Sequence, residues 1–132
     1  MYDLIVIGSG PAGEKGAAQA AYFGKRVALI ERQPVLGGAC VNTGTIPSKT
    51  LRESALHLSG FRQRGFRDAV DVTVRSITID DFMYRKQLVV EREWRRIDEN
   101  LQRHAIDRFQ GVEMTSIINM IALEHEIGRA HV

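Results

Sequence analysis

The residues best suited to chemistry lie together in Gly37-Gly38-Ala39-Cys40-Val41-Asn42-Thr43-Gly44-Thr45-Ile46-Pro47-Ser48-Lys49. A thiol, a glycine pair, a helix start and a lysine share this short stretch. Two adjacent glycines let a backbone run against a planar ligand with no Cβ in the way. Pro47 suits a first helical turn, where its missing N–H leaves no bond unmade and its φ is already helical. A helix starting near Thr45 aims its positive end back towards whatever the glycines touch, favouring an electron-rich or anionic group there. The stretch is therefore expected to wall a planar cofactor.

A second set of residues explains why a cofactor is expected. Leu4-Ile5-Val6-Ile7 is an unbroken apolar run rich in β-branched side chains, the pattern of a parallel strand covered on both faces. Gly8-Ser9-Gly10-Pro11-Ala12-Gly13 follows, then an alanine-rich helical pattern with small residues at 17, 18, 20 and 21. A bare GxGxxG is weak, but between a buried strand and a helix it is a dinucleotide-binding signature. Gly8 allows the tight turn, Gly10 lets backbone approach a pyrophosphate, and Gly13 lets the helix pack on its strand. Gly24 is placed to end that helix with a left-handed cap. Arg26–Glu31 is expected as the second strand. Glu31, with Arg32 beside it, stands near the spacing of about 20 residues at which an acidic side chain accepts from an adenosine ribose hydroxyl. A carboxylate there disfavours a 2′-phosphate and leaves FAD or NAD. The plainer alternative is a tight strand–helix turn with no ligand.

The Gly37–Lys49 run resembles the active-site segment of the pyridine nucleotide–disulfide oxidoreductases, in which two cysteines separated by four residues precede Pro-Ser-Lys. Here Cys40 holds the first cysteine position and Thr45 the second. No other cysteine exists in the chain, so no intrachain dithiol can form. Gly-Thr-Ile-Pro-Ser-Lys after a lone cysteine is similar to the family branch of soluble flavin-containing NAD(P)+ transhydrogenases. The resemblance implies an α/β, Rossmann-like FAD-binding domain, with the N-terminal signature serving FAD. NAD(H) and NADP(H) are the implied substrates, bound through a second GxGxxG that does not occur in these 132 residues. It also implies a homo-oligomer. Gly8, Ser9, Gly10, Pro11, Ala12, Gly13, Glu31, Arg32, Gly37, Gly38, Ala39, Cys40, Thr45 and Lys49 are the cofactor-binding candidates. Cys40 and Thr45 are the flavin-proximal catalytic candidates. Three bland alternatives stay open: Cys40 as a small buried hydrophobe, Thr45 as a helix cap and Lys49 as a surface lysine.

What Thr45 removes suggests the reaction. In disulfide-using members, reducing equivalents pass from nicotinamide to flavin to dithiol to substrate. Without the second sulfur that relay ends at the flavin, and a second oxidised nicotinamide becomes the natural acceptor. Two other functions remain: a related flavoenzyme, dihydrolipoamide dehydrogenase-like or passing electrons to a quinone or metal, and a non-catalytic FAD- or nucleotide-binding module.

The remaining elements must position these residues. A helix is expected from Thr45 to about Arg62, with Leu51, Ala55 and Leu58 on one stripe. Val70–Val74 alternates as a short strand would. Asp80 or Asp81 could cap a long helix running to about His104. Along it, Met83, Val90, Trp94, Ile97, Leu101 and Ala105 fall near helical spacing, and Glu91–Arg95 and Glu99–Arg103 are spaced as i,i+4 pairs. Ile106–Gly111 is expected to return to the sheet as a third strand.

Residues 1–111 are accordingly expected to form the N-terminal part of an FAD-binding domain, incomplete through truncation and inactive alone. Residues 112–132 depart from the family pattern, and 126–132 read like the translation of a sequencing-adapter oligonucleotide, foreign to the fold. At 44% hydrophobic and 26% charged, the composition is that of globular material. No transmembrane run or signal-peptide start is visible, which makes the cytoplasm the expected compartment. A net charge of +2 is too small to suggest nucleic acid. Arg92, Arg95, Arg96 and Arg103 interleave with Glu91, Glu93, Asp98 and Glu99, the pattern of a solvated helix face. His57, His104, His125 and His131 follow no metal-ligand spacing.

Overall fold

The computed structural model describes residues 1–63 and 78–111. Val70–Val74 and the segment 112–132 lie outside the described residues. Three parallel strands run in the order β1 (Leu4–Ile7), β2 (Val27–Glu31), β3 (Asp107–Gln110). The register pairs Leu4 with Val27 and Ala28 with Asp107. Helix α1 (Pro11–Tyr22) makes the first crossover. The second runs through α2 (Gly38–Asn42), α3 (Thr45–Gln63) and α4 (Ile79–Arg103). This is the Rossmann-like α/β arrangement, and the third strand falls where Ile106–Gly111 was expected to place it.

β2 is the central strand, and all five of its residues are buried. β1 corrects the expectation of a strand covered on both faces. It has a neighbour on one side only among the described residues, and Leu4 and Ile7 are exposed. The apolar run specifies a strand, but which strands flank it decides how much of it is covered.

Val27 and Leu29 of β2 pack with Ala17 and Ala18 of α1 and with Val90, Ile97 and Leu101 of α4. The small side chains of α1 let that helix lie close to the sheet. Gly13 makes the closest approach, since a Cβ there would be driven into the Gly8 carbonyl oxygen. Gly24, at φ +75°, follows the C-cap Phe23, and its N–H donates to the Ala21 carbonyl at 2.9 Å. A buried polar link adds direction to the packing. Glu14 of α1 accepts from Asn100 Nδ2 of α4 at 2.8 Å and pairs with Lys15 and Arg96.

Three helix details differ from expectation. Thr78, not an aspartate, caps α4. Its side chain accepts from the Asp81 N–H, while the Asp81 carboxylate accepts from the Thr78 N–H at 2.9 Å. This reciprocal box satisfies two of the groups that a helix start leaves open. Over residues 45–59 of α3 the buried positions are Pro47, Thr50 and Ser54, whereas Ala55 is exposed and Leu51 and Leu58 are only half-buried. Thr50 and Ser54 can be buried because each hydroxyl donates back to a carbonyl one turn earlier, on Ile46 and Thr50. On α4, Arg95 Nε reaches the Glu91 backbone carbonyl at 3.5 Å, and the charged pairing runs through Arg96–Glu93 at 2.9 Å instead.

Candidate functional site

Two glycine-rich turns meet beyond the carboxyl ends of β1 and β2. Gly8 N–H donates to the Ile30 carbonyl at 2.8 Å, extending the strand pairing by one step before the chain turns into α1. Gly10 caps α1 with no side-chain bond, and Pro11 occupies the first turn. The first turn's N–H groups, at Ala12 and Gly13, therefore point out of the helix start, where an anion is favoured. A Cβ on Gly10 would meet open space.

The second turn lies against the first. Gly37 and Gly38 are both left-handed, with φ of +95° and +56°. That conformation costs an L-residue roughly 1–2 kcal/mol. A Cβ on Gly38 would lie 3.1 Å from Gly10 Cα, and a Cβ on Gly37 would run into Val41. Signatures separated in the sequence thus form one surface, and glycine at position 38 gives the room for their contact.

Ser9 binds the two turns together. It is fully buried, its Oγ donates to Glu31 Oε2 at 2.6 Å, and its own N–H donates to the same oxygen at 2.9 Å. Gly37 N–H donates in turn to Ser9 Oγ at 3.0 Å. Glu31 Oε1 accepts from the Gln33 N–H at 2.9 Å. Burial works to raise the Glu31 pKa. Donation from the Ser9 hydroxyl and from the Gln33, Ser9 and Arg32 N–H groups outweighs it, and the carboxyl is held below its ordinary value. Oε2 already accepts two bonds from Ser9, so acceptor capacity for a ligand hydroxyl remains on Oε1.

Cys40 sits half-buried in α2 as a free thiol. Ala39 beside it is exposed, and Gly44 N–H closes the turn by donating to the Ala39 carbonyl at 2.7 Å. Thr45 opens α3, and Lys49 follows four residues later on the same helix face. Both are exposed, as is Arg32 just beyond β2.

Two residues outside the candidate set belong to this region. Asn42 ends α2, and its Nδ2 donates to the Leu36 carbonyl at 3.0 Å and the Gly38 carbonyl at 2.8 Å. Its Oδ1 accepts from Trp94 Nε1 of α4 at 2.8 Å. The position of Asn42 inside the glycine-rich run was a usable signal. Nothing local marks Trp94, which lies 52 positions away.

The surface suits a dinucleotide. It combines open space over Gly10, an uncapped helix start and a buried carboxylate at the end of β2. Among the described residues no group of three or more His, Cys, Asp or Glu could hold a metal ion. Nor is any described helix long and apolar enough to cross a membrane.

The family described as pyridine nucleotide-disulphide oxidoreductase matches residues 2–122. The chain is 47% identical over 110 residues to a protein of Mycobacterium bovis (strain BCG / Pasteur 1173P2) named soluble pyridine nucleotide transhydrogenase, covering 83% of this chain and 24% of the relative. Proteins of the same name from Chromohalobacter salexigens and Marinomonas sp. are each 38% identical, over 112 and 111 residues, again covering 24% of the relative. The chain spans about a quarter of the length of these curated relatives.

Proposed function

The chain belongs to the pyridine nucleotide-disulphide oxidoreductase family, and from that premise we propose that the whole protein is an FAD-dependent NAD(P)+ transhydrogenase. The reaction is NADPH + NAD⁺ ⇌ NADP⁺ + NADH, with the hydride passing through the flavin. The observation that carries this reading is the missing sulfur. Cys40 is the chain's single cysteine, and Thr45 stands at the second position of the family's cysteine pair. The name printed for the relatives supports the same reading.

The residues divide the work of holding FAD. Gly10 and the α1 start receive the pyrophosphate, and Glu31, fixed by Ser9, accepts from the adenosine ribose. Gly37 and Gly38, closed against Val41 and Gly10, hold the turn beside the ring system, with Ala39, Cys40, Thr45 and Lys49 next to it. FAD, when bound, supplies the two-electron chemistry; the protein binds and orients it. The sequence holds a single GxGxxG, so we infer that these 132 residues alone do not turn over. The acting form is proposed to be a cytoplasmic homo-oligomer.

Purification of the whole protein tests this reading. It should retain a yellow flavin chromophore and reduce an NAD⁺ analogue at the expense of NADPH. It should do so much faster than it reduces lipoamide, glutathione disulfide or a quinone. Absence of bound flavin rejects the site, while preference for a disulfide, quinone or metal acceptor rejects the transhydrogenase branch. Stable dinucleotide binding with no turnover of any pair would favour a binding module.

A further inference from the structure

We propose that Asn42 and Trp94 act as one positioning unit that holds the Gly37–Cys40 turn in shape from helix α4. The functional consequence rests on the flavin-site reading above, but the mechanical claim does not. Asn42 uses every arm of its amide. Its two donated bonds end on the carbonyls of Leu36 and Gly38, which flank the left-handed Gly37 and include Gly38 itself. Without Asn42 the turn loses the two side-chain donors that tie its carbonyls together. The indole nitrogen can only donate, so its bond to Oδ1 fixes which way the amide faces.

Trp94 is itself well anchored. It packs against the core that includes Val90 and Ile97, its neighbours on α4. Ile97 also backs the turn directly, since a Cβ on Gly37 would lie 3.2 Å from its Cδ1. Farther along the helix, Asn100 donates to Glu14 of α1, the helix whose first turn carries Gly10 to Gly13. Positions 94 and 100 stand roughly 9 Å apart along the axis. One helix therefore grips both glycine turns, through Asn42 at one point and Glu14 at the other. α4 acts as a spacer that sets the Cys40 turn against the pyrophosphate turn.

The test uses the whole protein and three variants: Trp94→Phe, which keeps the ring and loses the N–H, Asn42→Ala, and the two combined. The first readout is the rate at which N-ethylmaleimide modifies Cys40, followed by peptide mass spectrometry. Trp94→Phe, which loses one hydrogen bond, should speed labelling about three- to tenfold, and Asn42→Ala, which loses three, by at least as much. The double variant should be no faster than the faster single. Ile106→Val, a one-methyl change in the same core that touches neither Asn42 bond, should leave the rate unchanged. An unchanged rate in Trp94→Phe, additive rates in the double variant, or equal acceleration by Ile106→Val overturns the proposal. Flavin content of the same preparations separates the two readings. Faster labelling in the variants, with no flavin in wild type or any variant, supports the positioning pair and rejects the flavin site; normal flavin with unchanged labelling rejects the pair alone.

Discussion

Glu31 shows how one residue can be recognised in sequence yet understood only in space. Its distance from Gly13 is the basis for expecting a ribose acceptor there, but nothing in that spacing says that Ser9 reaches across to it. The buried hydroxyl makes Ser9 a brace for the carboxylate instead of an ordinary turn residue. The pH dependence follows from the lowered pKa. A carboxyl whose folded pKa lies below its ordinary value of 4.5 contributes stability above that value and loses it as the pH falls through the folded pKa. Glu31→Gln should cost roughly 1–3 kcal/mol near neutral pH. The difference from wild type should shrink at acid pH, where wild type has itself taken up the proton. Urea denaturation at a neutral and an acidic pH measures both arms, and a difference that grew on acidification would refute the account.

At the scale of the elements, the outcome turned on how each helix meets its neighbours. α1 follows its small residues closely, because Gly13 and the alanines leave no alternative to close contact with β1 and β2. Gly13→Ala should destabilise by about 1–3 kcal/mol or more, since the added carbon meets backbone that cannot rotate away. A denaturation midpoint unchanged from wild type would contradict this contact. The stripe of α3 illustrates the opposite case. Periodicity points to Leu51, Ala55 and Leu58, yet the buried face uses Thr50 and Ser54, whose hydroxyls are satisfied within their own helix. Hydropathy cannot anticipate a polar residue whose bonding is local. The α4 start was legible to within a few residues, and the capping box explains why Asp81 looked like the cap.

For the whole molecule, the open side of the sheet is the main physical liability. β1 is an edge strand among the described residues, with Leu4 38% and Ile7 62% exposed. Tyr22 and Phe23 lie exposed at the end of α1, stacked edge to face at 5.5 Å. Unpaired strand edges and apolar surface favour association. The isolated 132-residue chain is expected to unfold over a broad range and to self-associate at micromolar concentration. Light scattering during a thermal melt checks this, and a sharp cooperative transition of a monomer would count against it.

The sequence by itself determined the parallel α/β class, the glycine-rich turn between β1 and α1, the Cys40–Lys49 segment and the absence of a dithiol. These depend on local spacing, on glycine where side chains are forbidden, and on counting sulfur atoms. Only the tertiary structure decided that Gly38 rests on Gly10, that Ser9 braces Glu31, and that Trp94 reaches Asn42. Those contacts join residues 22 to 52 positions apart. Which residues meet over such distances is set by how helices pack on the sheet, and no periodicity along the chain encodes it.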